Sequence, residues 1–250
     1  MSLILAHRGA SGYAPENTLS AFEKALELGA HGIETDVHMT KDGQVVVCHD
    51  GRVDRTSDGS GRIYDMTLAQ LKELDFGARY PGWQKRETIL TLAQLLQWME
   101  PTGLELNIEL KFEDVLYPQI ESKVLELVAG AGMAQRTIYS SFNHYSLRAI
   151  KQADAQAHVG LLYNAALFEP WRYAAYVGAD YIHPYYVTLQ APDVVKNCHL
   201  NHIGVHPYTV NDPGHLAWMC ALGVDRIITN YPDRALAVCV SALEGVGFKA

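Results

Sequence analysis

The sequence has few cysteines, and no two of them lie close together. Its 250 residues include four cysteines, and none belongs to a Cys-x-x-Cys pair. Zinc sites and small disulfide frameworks both need closely or regularly spaced cysteines. We therefore expect neither, and predict free thiols in a reducing compartment at Cys48, Cys198, Cys220 and Cys239.

Long apolar runs and basic clusters are also missing. The first apolar run, Leu3 to Ala6, is too short for the hydrophobic part of a signal peptide, and no run approaches the roughly 18–20 residues of a membrane span. The chain carries 20 Lys and Arg against 28 Asp and Glu, a formal net charge of −8. Acidic chains bind nucleic acid and anionic lipid poorly. The sequence predicts a cytoplasmic protein with neither nucleic acid nor a membrane as partner.

What the chain does contain is a regular alternation of β-rich runs and segments of helical period. Such alternation predicts a parallel sheet built from βαβ units. We interpret the third run as a hairpin extension, which leaves eight strand–helix units and favours a closed TIM (β/α)8 barrel over an open, doubly wound sheet. The β-rich runs are Leu3–His7, Gly32–Val37, Gln44–His49, Leu104–Lys111, Thr137–Ser141, His158–Tyr163, Tyr181–Tyr185, His202–Val205 and Arg226–Thr229.

One stretch interrupts the alternation. Residues of about 50–90 contain no convincing strand, although Leu68–Leu74 is predicted to be a helix. We expect a single domain over residues 1–250 with this stretch inserted into it. Insertions of this length are often lids or rim elements, and a plain surface excursion is the alternative.

Two histidines stand at predicted strand ends. His7 and Arg8 follow the run Leu3 to Ala6, and His49 follows Val45–Val47. Barrel enzymes place their catalytic groups at the carboxyl ends of the strands. The planar guanidinium of Arg8 suits a phosphate or carboxylate group, and two histidines near a cation suit a general acid/base pair.

Three carboxylates are predicted to face the barrel interior. Residues i and i+2 of a strand share a face, so Glu34 lies beside Asp36 on one strand, and Glu109 lies beside Asn107 and Lys111 on another. Buried carboxylates need cations or a metal to neutralise them. Three oxygen ligands favour Mg²⁺ or Ca²⁺ over zinc.

Weaker signals mark the remaining strand ends. Phe142 and Tyr208 follow two predicted strands and are candidates for the wall of a substrate pocket. Four other histidines have no partner at an informative spacing and are interpreted as structural. They are His183, His199, His202 and His215.

Taken in order, these motifs resemble the glycerophosphodiester phosphodiesterase family over nearly the whole chain. Two departures are Tyr208-Thr209-Val210-Asn211, where the family often has Trp-Thr-Val-Asn, and Ile89-Leu90-Thr91-Leu92, where it usually has Ile-Pro-Thr-Leu. The motifs are His7-Arg8-Gly9, Pro15-Glu16-Asn17-Thr18, Ile33-Glu34-Thr35-Asp36-Val37, His49-Asp50, Arg55-Thr56, Asn107-Ile108-Glu109-Leu110-Lys111 and Thr229-Asn230-Tyr231-Pro232.

The resemblance implies a TIM barrel with a small subdomain inserted after His49, and a cation-dependent cleavage of glycerophosphodiesters into sn-glycerol 3-phosphate and an alcohol. A related phospholipase of the C or D kind and a non-catalytic phosphate-binding barrel are the alternatives. The sequence leaves open the preferred alcohol, the metal and the oligomeric state. It also leaves open which histidine is the acid and which the base, and whether the reaction passes through a cyclic phosphate or through direct attack by water. By resemblance the metal ligands are Glu34, Asp36 and Glu109, the catalytic residues His7 and His49, and the phosphate-binding residues Arg8 and Lys111.

Overall fold

The structure, a computed structural model, describes residues 2–112 and 115–246, with side chains described as far as residue 241. The limits of the predicted domain, residues 1 and 250, lie outside this part. The strands are β1 Leu3–His7, β2 Gly32–Met39, β3 Val45–Val47, β4 Glu105–Leu110, β5 Thr137–Ser141, β6 His158–Tyr163, β7 Tyr181–Pro184, β8 Gly204–Val205 and β9 Arg226–Thr229. The α-helices are α1 Leu19–Glu27, α2 Leu68–Lys72, α3 Leu92–Met99, α4 Ile120–Gly130, α5 His144–Ala153, α6 Pro170–Val177, α7 Val194–Leu200, α8 Pro213–Leu222 and α9 Pro232–Val246.

Eight of these strands form a parallel barrel. They are hydrogen-bonded in the order β8, β7, β6, β5, β4, β2, β1, β9. The chain just after β8 closes the ring through two hydrogen bonds to β9. The amide of Val210 donates to the carbonyl of Ile228 at 2.9 Å, and the amide of Ile228 donates to the carbonyl of Pro207 at 3.0 Å. The remaining strand, β3, pairs antiparallel with β2. The predicted TIM barrel with its hairpin extension is confirmed.

Capping residues fix where several helices begin. The side chains of Thr67 and Thr91 each accept from the backbone three residues later, and Gln70 and Gln94 complete two capping boxes. Asp212 caps α8 just before the proline of its first turn. Each cap satisfies backbone donors that the helix itself leaves unpaired. Thr-x-x-Gln spacing and an Asp-Pro pair are local signals that predict these helix starts from the sequence, and the structure confirms them.

The alternation of side chains along β2 separates the core from the barrel interior. Ile33 and Val37 are fully buried in the main hydrophobic cluster, together with Phe22 of α1 and Leu96 of α3. Burial of side chains of this size stabilises the fold by about 1.5–3 kcal/mol each. The opposite face of β2 is thereby turned inward, toward the other strands.

The residues between β3 and α3 pack around a small hydrophobic cluster of their own. Helix α2 ends at Lys72, not at the predicted Leu74, and Leu74 instead packs beside Gly59, where a Cβ would lie only 2.6 Å from it. No strand is assigned within this stretch, as expected. The cluster comprises Val46, Cys48, Val53, Ile63, Leu71, Phe76 and Ile89.

The cysteine prediction is wrong for two of the four residues. Cys220 of α8 and Cys239 of α9 are joined by a disulfide, with their Cα atoms 5.8 Å apart. The two helices lie side by side, a proximity that sequence spacing does not reveal. Cys48 and Cys198 are free and buried.

Within residues 2–112 and 115–246, no helix combines the length and the hydropathy that a membrane span requires.

Candidate active site

The register of three neighbouring strands gathers the predicted site residues at the carboxyl end of the barrel. His7 at the end of β1 lies opposite Glu34 of β2. Further along β2, Asp36 lies opposite Glu109 of β4. Because the strands are parallel, their ends meet at one edge of the barrel. Four residues from three separate segments of the chain therefore face the same space.

The three carboxylates form one cluster. Each of Glu34, Asp36 and Glu109 offers an oxygen, and these oxygens all lie within 4.8 Å of one another. All three residues are buried. Hard divalent cations such as Mg²⁺ and Ca²⁺ take carboxylate oxygens as ligands. The cluster can therefore hold a metal ion, as the sequence predicted.

Two cations border the cluster. The ammonium group of Lys111 lies 3.1 Å from Oδ1 of Asp36 and 2.7 Å from Oε1 of Glu109. Arg8 has a left-handed backbone, with φ of 56°. Its amide donates to Oε2 of Glu34 at 3.0 Å, and its Nε lies 3.5 Å from Oδ2 of Asp36. Three carboxylates against two cations leave one surplus negative charge.

That surplus is visible in the pKa values of the carboxyl groups. Burial, and then the charges of Asp36 and Glu109, raise the pKa of Glu34 well above its usual value. Burial, with Asp36 adding to it, raises the pKa of Glu109 to about 7. Burial works the same way on Asp36, but Lys111 and Arg8 outweigh it and hold its pKa low. A bound cation would favour the ionised forms of all three, so the donor set fits one.

His7 is held by a neutral partner. Its Nδ1 lies 2.7 Å from the side-chain oxygen of Asn230, so Nδ1 carries the proton and donates it. The other ring nitrogen, Nε2, lies 4.0 Å from Oε2 of Glu34. Burial, followed by the charge of Arg8, lowers the pKa of His7 to about 3. The ring is therefore neutral and presents an unprotonated nitrogen to the cluster.

His49, by contrast, is held by a carboxylate. Its Nδ1 lies 2.6 Å from Oδ1 of Asp50. Arg55 donates to both oxygens of Asp50, at 2.7 and 3.1 Å, and to both oxygens of Glu16. Glu16 also accepts from Arg8 at 3.0 Å. A chain of charged groups, Asp50, Arg55 and Glu16, thus connects His49 to Arg8.

Several of these partners were not given a role from the sequence. The motifs of the sequence analysis include Asp50, Arg55, Glu16 and Asn230. The motifs do not predict which residues these four contact. Asn230 lies 223 residues from His7 in the chain. Spacing cannot reveal such pairs, because the fold alone brings them together.

A small cavity of about 20 Å³ lies beside His7 and two of the three carboxylates, Glu34 and Glu109. Tyr208 lines it, and Phe142 packs edge-on against Tyr208 with ring centroids 6.1 Å apart. The two predicted pocket residues therefore meet, although Phe142 is not among the residues that line the cavity. The lining residues are His7, Glu34, Asn107, Glu109, Ser140, Leu162, His183, Tyr208 and Ile228.

Comparison with known proteins gives the same result as the residues. The sequence pattern of the glycerophosphoryl diester phosphodiesterase family matches residues 7–234. The chain belongs to this family. It is 42% identical over 232 residues to a glycerophosphodiester phosphodiesterase of Caldanaerobacter subterraneus subsp. tengcongensis, covering 93% of this chain and 95% of the relative. Membership confirms the family resemblance and the prediction that the chain is an enzyme of the glycerophosphodiester phosphodiesterase class.

Solved structures of this family have the same fold. A protein of Silicibacter pomeroyi that is assigned as a glycerophosphoryl diester phosphodiesterase superposes on this chain with a TM-score of 0.88 at 25% identity. The match covers 96% of this chain and 94% of that one. A phosphodiesterase of Oleispira antarctica, in complex with the product sn-glycerol-3-phosphate, superposes with a TM-score of 0.82 at 28% identity, over 98% and 97% of the two chains. Both structures support the barrel and its closure.

Proposed function

We propose that the protein hydrolyses glycerophosphodiesters to sn-glycerol 3-phosphate and an alcohol, with a divalent cation and two histidines as the catalytic groups. The observation that carries this proposal is the convergence of His7, Glu34, Asp36 and Glu109 at one end of the barrel. The product-bound phosphodiesterase of Oleispira antarctica supports a small glycerophosphodiester as the substrate. The paired histidines argue against a phosphate-binding barrel without catalytic activity.

Glu34, Asp36 and Glu109 are the proposed metal ligands. A divalent cation held there would neutralise the negative charge that grows on the phosphoryl oxygens during attack. Mg²⁺ and Ca²⁺ both suit an all-carboxylate site. Arg8 and Lys111 lie against the same carboxylates and are the proposed partners of the remaining phosphate oxygens.

His7 and His49 are the proposed acid and base. One of them takes a proton from the nucleophile, and the other gives a proton to the alcohol oxygen as its bond to phosphorus breaks. Each ring has Nδ1 fixed by a partner, Asn230 for His7 and Asp50 for His49. The Nε2 atoms are thereby left for proton transfer. Phe142 and Tyr208 are proposed to form part of the substrate wall.

We further propose a single domain that acts in the cytoplasm on a small-molecule substrate, without nucleic acid or membrane as partner. The net charge of −8 supports this. The Cys220–Cys239 disulfide is the observation against it, because disulfides are rare in the cytosol. Recovery of the protein outside the cytoplasmic fraction of its cell would contradict the proposed location.

Hydrolysis of glycerophosphocholine, followed with and without a chelator, tests the catalytic proposal. Activity should vanish with excess chelator and return with Mg²⁺ or Ca²⁺. Glu34→Gln keeps the side-chain shape, removes a ligand charge and should abolish most of the activity while the protein stays folded. Glu27→Gln, at a side chain that is 67% exposed on α1, is the matched control and should be fully active. Full activity of Glu34→Gln, or of the wild type in chelator, would contradict the metal assignment.

A further inference from the structure

A second polar chain runs through the barrel interior, beginning at the amino ends of two strands. Glu105, at the start of β4, accepts two hydrogen bonds from Arg226, at the start of β9, at 2.7 and 2.8 Å. Arg226 also lies 3.0 Å from Nε2 of His206. Nδ1 of His206 in turn lies 3.0 Å from Nε2 of His183 in β7. Four residues therefore connect the bottom of the barrel to its centre.

Arg226 sets the direction of every hydrogen bond in this chain. A guanidinium group has donors and no acceptor, so Nε2 of His206 must accept. Burial lowers the pKa of both histidines, that of His183 to about 3, so both rings are neutral. Neutral His206 then carries its proton on Nδ1 and donates it to Nε2 of His183. The proton of His183 consequently lies on Nδ1.

That Nδ1 atom has no hydrogen-bond partner among the described residues, and His183 lines the active-site cavity. His183 is fully buried, lines the cavity of about 20 Å³ and, within the described part of the chain, has no hydrogen-bond partner for Nδ1. Asn107 lines the same cavity, is only 1% exposed, and has a side-chain oxygen that likewise finds no partner there. The amide nitrogen of Asn107 donates to Ser140 Oγ at 2.9 Å, and that hydroxyl donates to the carbonyl of Ile108 at 3.5 Å, so the amide oxygen is the atom left without a partner.

Two residues that line one small cavity thus have one unpartnered donor and one unpartnered acceptor. A buried polar group without a partner carries a substantial free-energy penalty. A cavity of more than about 10–15 Å³ can hold one water-sized group. A hydroxyl group is both donor and acceptor, so a single one can satisfy both atoms.

We propose that this cavity is a binding site for one hydroxyl group, which accepts from Nδ1 of His183 and donates to the side-chain oxygen of Asn107. The hydroxyl belongs either to a fixed water molecule or to the terminal carbon of the glycerol moiety of the substrate. The substrate version rests on the proposed function, and the water version does not. His183 is then a binding residue and not the structural histidine that its spacing predicted.

Gly160 makes room for the ring that serves this site. A Cβ at residue 160 would lie 2.2 Å from Nε2 of His183 and 2.6 Å from its Cδ2. The backbone of β6 therefore approaches the imidazole as closely as only glycine allows. This close approach holds His183 in the orientation that its bond from His206 also requires.

Two substitutions of His183 separate its two ring nitrogens. In His183→Asn the amide nitrogen takes the place of Nδ1 and keeps the donor to the cavity. In His183→Gln the amide oxygen takes the place of Nε2, keeps the bond from His206 and removes that donor. Asn107→Leu removes the acceptor with little change of volume. His158→Gln, at the start of β6, is the control.

The substrate version is tested with two diesters of phosphocholine, one made with glycerol and one with propane-1,2-diol, which lacks only the terminal hydroxyl. The wild type should prefer the glycerol diester by about three- to tenfold in kcat/KM, the range of one hydrogen bond. His183→Asn and His158→Gln should keep that preference. His183→Gln and Asn107→Leu should lose it.

The water version predicts no such preference in the wild type and a different signature in stability. Urea unfolding of His183→Gln, Asn107→Leu and the double variant should be non-additive, because one water molecule is lost in each case and the double variant loses it only once. Additive losses of stability together with equal use of the two diesters would overturn the hydroxyl site. Failure of the wild type to cleave either diester would count against the proposed function, and the unfolding comparison would still decide between a water site and none.

Discussion

At the amino end of the barrel strands, the lower end, Arg226 and Glu105 form an ion pair with two hydrogen bonds. At the carboxyl end, the upper end, Glu34, Asp36 and Glu109 share only two cations. The lower pair is balanced within the protein. The upper cluster keeps a surplus negative charge and two carboxyl groups with raised pKa values. The lower end of the barrel thus completes its own interactions, and the upper end leaves an interaction for a ligand to complete. Substitutions at the upper end should therefore lower activity and leave stability unchanged, and substitutions at the lower end should lower stability.

The largest effect is expected at the upper end and in activity alone. Removing a general acid or base lowers rates by about 10²–10⁴-fold. His7→Ala and His49→Ala should each lose turnover of glycerophosphocholine in that range. Their urea unfolding midpoints should stay close to that of the wild type, because both side chains are partly exposed and neither fills the hydrophobic core. Near wild-type turnover of His49→Ala would remove it from the catalytic pair.

The reverse profile is expected at the lower end. Arg226→Met leaves Glu105 without its partner and His206 without its donor. Hydrogen bonds to charged groups contribute about 1.5–3 kcal/mol, and we expect a loss of free energy of unfolding in that range, measured by urea titration. Arg52→Met, whose ion pair with Asp54 is exposed, should change stability far less. Equal stability of Arg226→Met and the wild type would show that the lower pair contributes nothing.

A smaller effect is expected between the two ends, at His183. Burial, and then the charge of Arg226, lower its pKa from 6.5 to about 3. Between these values the unfolded chain binds a proton that the folded protein does not, so stability is full above pH 6.5 and falls as the pH drops through this window. His183→Gln lacks this proton, and its stability relative to the wild type should rise by about 1 kcal/mol between pH 7 and 5.5. A constant difference across this range would show that His183 titrates normally in the folded protein.

The upper end of the barrel was more accessible to sequence reasoning than the rest. The two-residue period of a strand already placed Glu34 and Asp36 on one face, and a closed barrel turned that face inward. The two-residue period could not predict the register that sets Asp36 opposite Glu109, because register depends on how distant strands align. The helix starts were accessible for a similar reason, since a cap is a local contact.

The lower chain was hidden from the sequence. His183 lies on β7, His206 directly follows β8 and Arg226 begins β9. These positions have no characteristic spacing in the sequence, and Glu105 is 121 residues from Arg226. The Cys220–Cys239 disulfide was missed for the same reason, because the two helices become neighbours only in the folded protein. Local patterns predict which way a side chain points, and the fold decides what it meets.

Strand β3 has only three residues, yet it belongs to two hydrophobic clusters at once. Val45 and Val47 are part of the main core, and Val46 and Cys48 are part of the small cluster beneath residues 50–90. His49 is the next residue in the chain. Residues 50–90 and the barrel core therefore both pack against the segment that leads to this histidine. We expect local unfolding of residues 50–90 to displace His49 as well.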